Sequence, residues 1–367
     1  MISDADILPM IMLALCVISA WSFKGKWAMR VVSLIGLGFL LSCSWISALI
    51  LGVLTPVVYL LSRRMRYRSA LLISVLGGLS ALFFVFKISA GMAHHLVPLG
   101  LSYYLFRQVH YVLESYKGNL RRHGFEDFVH YQWFMPVLLV GPIHRFPDFL
   151  NDLRRRRWDK ERFVVGLNRV FWGYVKAIFV GNYLISFRLR AVLEPWLNAD
   201  TWHGSYLDSV LNWFNLYIQF SGYSDIAIGV ALMCGFTIIE NFNQPWLAKN
   251  ISDFWKRWHI SLTSWCNDYI YTPVIAVTRT RVVAVFCTMM VIGLWHELSL
   301  RYLFWGVYHV LGIYTYQWSS HFLDPCLERR PRIRGGVTIL GTLITLNFVV
   351  LSYPVTSWVT ERVMGLF

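Results

Sequence analysis

Residues 31–62 read VVSLIGLGFLLSCSWISALILGVLTPVVYLLS, with no Asp, Glu, Lys or Arg among them. As one helix the run would measure about 48 Å at the usual helical rise. A bilayer's hydrocarbon core is only about 30 Å thick. The run is therefore expected to form two spans that turn near Ser42–Ser47. Its flanks agree. Lys24, Lys26 and Arg30 precede it, and Arg63, Arg64, Arg66 and Arg68 follow it. Two crossings return the chain to the side it left, so both basic clusters face the cytoplasm, as the positive-inside rule requires.

Working outward, the whole chain has the composition of that stretch. Of its 367 residues, 56% are hydrophobic and 15% charged, and the mean hydropathy is +0.49. Soluble domains carry about 25% charged residues. A disordered chain, a disulfide scaffold and an ordinary soluble enzyme are excluded. Lys and Arg outnumber Asp and Glu by 34 to 20, a net charge of +14. In a membrane protein this excess marks cytoplasmic loops, so no nucleic-acid partner is implied. The 17 tryptophans suit interfacial belts. The six cysteines include no Cys-x-x-Cys pair, so neither disulfides nor a metal site are expected. Asp4 and Asp6 in place of an N-terminal basic region argue against a cleavable signal peptide, and Ile7–Phe23 reads as the first span.

Beyond Arg68, Ser69–Ile88 crosses outward to a turn at Gly91–His95, and Leu96–Glu114 returns. Phe128–Ile143 is apolar but has basic clusters on both sides, and Pro136, Gly141, Pro142 and Pro147 interrupt it, so it reads as re-entrant or interfacial. Further spans are Phe163–Ile185, Tyr206–Phe236, Val282–Leu298, Tyr302–Ser320 and Gly336–Trp358, with Pro245–Val277 too polar for a plain span. The expectation is an all-α polytopic fold, a single integral-membrane domain over 1–367. It has about ten transmembrane helices and two re-entrant or interfacial elements. Basic clusters at Lys24–Arg30, Arg63–Arg68, Arg154–Arg162 and Arg329–Arg334 lie on one face.

Ionisable groups at membrane depth are paired or working. Phe254, Trp258, Leu262, Trp265 and Tyr269 recur every three or four residues, the pattern of one helix face. Lys256, Arg257, His259 and Asp268 lie off that stripe, beside Asn267. Such a helix lies in the headgroup plane, yet that does not explain so many polar side chains around His259. Gly293-Leu-Trp-His-Glu297 closes an uncharged run that puts His296, next to Trp295, about 21 Å along its helix. A neutral imidazole there can take a proton from an attacking hydroxyl and later release it. The competing reading is a hydrogen-bonded core histidine. Asp225, in Phe220-Ser-Gly-Tyr-Ser-Asp225, would pair with a histidine or with Arg257, or hold helices together. His144 and Arg145 follow the Gly141-Pro-Ile turn in what reads as a solvated loop.

Taken in order, Gly141-Pro-Ile, Phe220–Gly229, Glu240-Asn-Phe-Asn-Gln-Pro245, Phe254-Trp-x-Arg257-Trp-His259-x-Ser261-Leu and Gly293-Leu-Trp-His296 resemble the membrane-bound O-acyltransferase family. They are most similar to its bacterial branch of alginate O-acetylation and teichoic-acid D-alanyl transfer proteins, with a motif core of about 96–312. The resemblance implies a helical ring around a funnel or tunnel, His296 as the catalytic base, and His259 as the second family histidine. It also implies no bound cofactor. The co-substrate would be an acyl thioester, acetyl-CoA or an acyl carrier protein, arriving from the cytoplasmic side. The acyl group would leave as an ester outside, on a cell-envelope polysaccharide or a partner acyltransferase. The setting is the bacterial cytoplasmic (inner) membrane, among its lipids.

The chain differs from the family in carrying Glu297 and Leu298 after the histidine, where small residues are usual, and His144 after Gly-Pro-Ile. Its length suits the D-alanyl type, and its motifs read closer to the alginate type. The expected function is transfer of an acyl group, acetyl first and D-alanyl as the alternative. Catalysis falls to His296 and His259, and substrate binding to Asn267, Asp268, Trp295, Arg257 and Asp225. A lipid-acylating enzyme would use the same chemistry. A transporter built on Lys176, Asp208 and Asp225 ranks below these, since no inverted repeat is visible.

Overall fold

A computed structural model describes residues 4–90, 100–138, 140–197, 201–329 and 333–365. The expected turn at Gly91–His95, together with Arg330 and Arg332 of the last basic cluster, lies outside them. The described residues are mostly helical, and an isolated bridge between Phe242 and Trp258 is the extended pairing among them. In chain order the helices are α1 (Asp4–Ser22), α2 (Lys26–Cys43), α3 (Trp45–Ser62), α4 (Ser69–Ala90), α5 (Leu101–Lys117), α6 (Phe125–Gln132), α7 (Phe146–Arg155) and α8 (Lys160–Tyr174). A π-helical stretch, Val175–Leu189, continues α8 into α9 (Arg190–Leu193). Then follow α10 (Trp202–Met233), α11 (Ile251–Arg257), α12 (Ile260–Cys266), α13 (Thr272–Thr278), α14 (Arg281–His296), α15 (Leu300–Arg329) and α16 (Arg334–Met364), with a second π-helical turn, Asn267–Tyr271, between α12 and α13.

The uncharged run divides where its length requires. Helix α2 ends at Cys43, and Ser44, in extended conformation, caps α3 by accepting from the Ser47 amide. That cap satisfies one of the amides a new helix leaves open. Among the described residues six helices are long and apolar enough to cross a membrane, and two shorter apolar helices, Ile7–Ser22 and Arg281–His296, accompany them. The described residues of Phe128–Ile143 do not form a span. They hold the end of α6, a short 3-10 turn at Met135–Val137 and then non-helical chain, almost all of it buried.

The chain folds as two compact units. The first comprises Met1–Tyr174 and Gly222–Ile239. Its core is aromatic around α5–α7, where Tyr111 lies 4.0 Å from Phe128 between ring centroids and Phe149 stacks on Phe236 at 4.7 Å. Arg107 is buried within this core, with one guanidinium nitrogen donating to the Tyr131 carbonyl at 3.3 Å. His144 does not lie in a solvated loop. It is 3% exposed, its ring meets Tyr131 at 4.6 Å, and its carbonyl accepts from the Tyr131 hydroxyl. The Gly-Pro-Ile turn folds that segment inward because Gly141 adopts a φ of 140° where a Cβ would meet Ala227 at 2.9 Å. Buried Gln108, Gln132 and His144 keep side-chain polar atoms without a partner among the described residues, which suits internal water.

Asp225 belongs to this unit and pairs with Arg169 at 2.8 Å. This ion pair joins two helices, one of the two roles expected for Asp225. The two residues lie 56 positions apart, on α8 and α10. That is a relation between chain segments, which reading one segment at a time cannot supply.

The second unit comprises Val175–Ser221 and Glu240–Phe367. Helices α14, α15 and α16 pack in sequence, and α11 packs on α15. Two glycines let the backbones of α14 and α15 approach. A Cβ on Gly293 would sit 2.5 Å from the Tyr302 carbonyl oxygen, and Gly306 faces Met289 and Met290 in the same way.

Candidate active site

The site is built in the second unit around a kink. The stripe from Phe254 to Tyr269 predicts one helix, but the chain breaks between α11 and α12. Trp258 is extended, and His259 takes the left-handed conformation with φ 45° and ψ 51°. For a residue with a Cβ that conformation costs about 1–2 kcal/mol, so something must hold it. The Glu240-Asn-Phe-Asn-Gln-Pro245 motif does. The Asn243 amide donates to the Arg257 carbonyl at 3.0 Å, Phe242 bridges Trp258, and the Ile260 amide donates to the Asn241 carbonyl at 2.9 Å. The Ser261 hydroxyl donates to the Asn241 side-chain oxygen at 2.6 Å. The two motifs therefore staple one another on both sides of His259, and α12 starts from its carbonyl, which accepts from Leu262 and Thr263.

The kink buries the His259 ring at 3% exposure, 4.8 Å from Phe220 and 5.7 Å from Trp295 between centroids. Its Nε2 has no hydrogen-bond partner among the described residues. Burial first, and the neighbouring His296 second, push its pKa down to about 3. An imidazole ordinarily titrates near 6.5, so His259 is neutral at physiological pH.

His296 is the last residue of α14, and unlike His259 it is exposed. It lies in an aromatic frame. Trp295 is at 4.5 Å, Tyr302 stacks on it at 5.5 Å, and Trp305 stands edge-on at 5.6 Å. The helix ends there because Glu297 is extended, and its carboxylate pairs with Arg301 at 3.1 Å. The unusual residue after the histidine thus belongs to an i, i+4 pair that opens α15. Arg301 also donates to the Tyr353 hydroxyl at 2.5 Å. The open carbonyl end of a helix favours the positive charge a base acquires on taking a proton.

A third histidine completes the group. His309 on α15 is 1% exposed, 4.3 Å from Trp305 and 5.2 Å from Trp255. Neither of its ring nitrogens has a partner among the described residues, and the Trp255 indole nitrogen is likewise without one. The sequence reading missed it. The signal was present, since Tyr302, Trp305 and His309 fall on one helical stripe in an apolar segment.

The structure thus brings His259, Trp295 and His296 together and adds Trp305 and His309. Three other expected binding residues, Arg257, Asn267 and Asp268, lie in the same unit. Arg257 is turned to the Asp253 carboxylate at 3.0 Å and the Asn243 carbonyl at 3.2 Å, where it supports the staple. Asn267 and Asp268 are exposed on the π-helical turn after α12. Asp225 lies in the first unit with Arg169.

Comparison with known proteins decides the family. The model of the membrane-bound O-acyltransferase family, MBOAT, matches residues 10–351. The chain belongs to this family. Among its relatives, the probable alginate O-acetylase AlgI of Pseudomonas aeruginosa is 35% identical over 272 residues, covering 72% of this chain and 49% of that protein. The teichoic acid D-alanyltransferase of Bacillus subtilis is 29% identical over 288 residues, covering 72% of this chain and 70% of that protein. The peptidoglycan O-acetyltransferase of Helicobacter pylori is 26% identical over 301 residues, covering 71% and 54%. The chain spans about half the length of the alginate relatives it matches. With its apolar helices and this membership, it is a membrane protein.

Proposed function

We propose that this protein is an O-acyltransferase of the bacterial inner membrane that esterifies a cell-envelope polysaccharide, with acetyl as the acyl group. The observation that carries the reading is an exposed histidine at a helix end, framed by aromatic rings and backed by two buried histidines. His296 takes the proton of an acceptor hydroxyl, on the polymer or on a partner acyltransferase's serine. The oxygen attacks the thioester carbonyl, the C–S bond breaks, and the proton passes from His296 to the departing thiolate sulfur. No covalent enzyme intermediate is needed. Neutral His259 stabilises the charge developing on the carbonyl oxygen through an N–H donor. The donor is an acyl thioester on the cytoplasmic side, carried by coenzyme A or by a carrier protein.

The test is His296→Ala in a strain whose envelope polymers are analysed for ester by NMR, with protein abundance checked by immunoblot. Loss of at least about a hundredfold in ester content is expected for a general base; unchanged ester sinks the reading. A second reading, D-alanyl transfer, is favoured by the larger share of the Bacillus relative that the chain matches. Mass spectrometry of the acyl group released by mild base separates the two.

A further inference from the structure

The first unit holds a basic pocket that the proposed chemistry does not use. A cavity of about 540 Å³ lies among the end of α3, the turn into α4, the end of α5 and the approach to α6. Arg63, Arg66, Arg121 and Arg122 all line it, and among the described residues no carboxylate does. The nearby carboxylates are engaged elsewhere. Glu114 accepts from Lys117 and Asn119, Glu126 from Arg30, and Asp127 from the Gly124 amide. Four like charges around one opening repel each other unless an anion joins them.

Two further observations point to a ligand. Ser62 lines the pocket at 5% exposure, and its hydroxyl has no partner among the described residues. Gly118, with φ 74°, leaves room for the Arg66 side chain, whose Nε would lie 3.1 Å from a Cβ there. The backbone is thus shaped to receive a guanidinium at the rim.

Position decides the source of the anion. Helices α3 and α4 are both candidate spans, and the pocket lies in the short turn that joins them. That turn is at headgroup level by construction.

We propose that this pocket binds the phosphate headgroup of an anionic phospholipid of the phosphatidic acid type. The arginines take the phosphate oxygens in paired, charge-assisted hydrogen bonds, and the Ser62 hydroxyl donates to one of them. The inference is independent of the acyl-transfer reading, because every residue it uses lies in the first unit.

The test titrates the full-length protein in detergent with short-chain phosphatidic acid, phosphatidylcholine and glycerol phosphate, and reads occupancy by native mass spectrometry. Phosphatidic acid should bind at least about tenfold tighter than phosphatidylcholine. Arg63→Gln/Arg66→Gln should weaken it about tenfold or more, and Ser62→Ala a few-fold. Arg63→Lys/Arg66→Lys keeps the charge, so it guards against a folding defect; it should bind between wild type and the Gln pair. Unchanged phosphatidic acid binding in the Gln pair, or equal binding of phosphatidylcholine, overturns the proposal. Equal binding of glycerol phosphate overturns the lipid assignment and gives the site to a soluble phosphate.

Discussion

His259 concentrates what one residue can carry. Its left-handed backbone and its buried, unprotonated ring make separate demands, and substitutions separate them. His259→Gly removes the ring and relieves the backbone, and His259→Ala removes the ring and keeps the strain. Both should lose acyl transfer, but the glycine variant should be more stable by about 1 kcal/mol, read as denaturation midpoint in detergent. The protonation side follows from burial. An unfolded histidine takes up a proton as pH falls through about 6.5, while His259 in the fold resists until about 3. Stability linked to it is therefore whole above about pH 6.5 and declines by up to about 1.4 kcal/mol per pH unit below. Melting temperatures should drop between neutral and mildly acid pH, and the drop should shrink in His259→Asn. His309 belongs at this scale too. His309→Phe should lower kcat while leaving protein abundance near wild type, and His309→Asn should restore part of it if the ring acts through a hydrogen bond. Of these three histidines, two were legible from ordered motifs. The third lay in a stripe that reads as ordinary core, because its meaning depends on Trp255 from another helix.

Among the elements, α14 and α15 show what the glycine of the Gly-Leu-Trp-His motif is for. A methyl at Gly293 collides with the Tyr302 carbonyl, and backbone cannot rotate away as a side chain would. Gly293→Ala should therefore cost about 1–3 kcal/mol by overpacking and should move His296 relative to Tyr302 and Trp305. Acyl transfer should fall at least tenfold with it. Gly77→Ala in α4 is the control. Among the described residues nothing lies within 4 Å of a Cβ there, and alanine in a helix interior should hold or raise stability by up to about 1 kcal/mol. Thermal melts of the two variants give opposite signs if backbone contact governs. The turn between α2 and α3 was legible because an uncharged run too long for a bilayer has to fold back. The break between α11 and α12 was not, because an apolar stripe spaced by three and four fits a straight helix, and only the long-range pairing with residues 241–243 bends it.

For the molecule as a whole, the charge distribution makes the topology testable. Every basic cluster is expected on the cytoplasmic face. Single cysteines at Lys26, Arg64, Arg157 and Arg329, in a background lacking Cys43 and Cys326, should resist a membrane-impermeant maleimide in intact cells and react in inverted vesicles. Labelling of Arg157→Cys from outside would overturn the re-entrant assignment of Phe128–Ile143. The membrane class was legible at this scale because bilayer thickness acts on composition and needs no partner. The Arg169–Asp225 ion pair was not, since a charge in a span announces that it is paired without naming its mate.

The staple at His259 also bears on the order in which the protein is made. Asn241 and Ser261 are 20 residues apart, a loop whose closure is fast and entropically cheap. His296 and His309 reach the same place from later helices. Synthesis proceeds from the N-terminus, so the left-handed turn should be formed on the ribosome before His296 has emerged. The later helices would then be received by a site whose first wall is already standing.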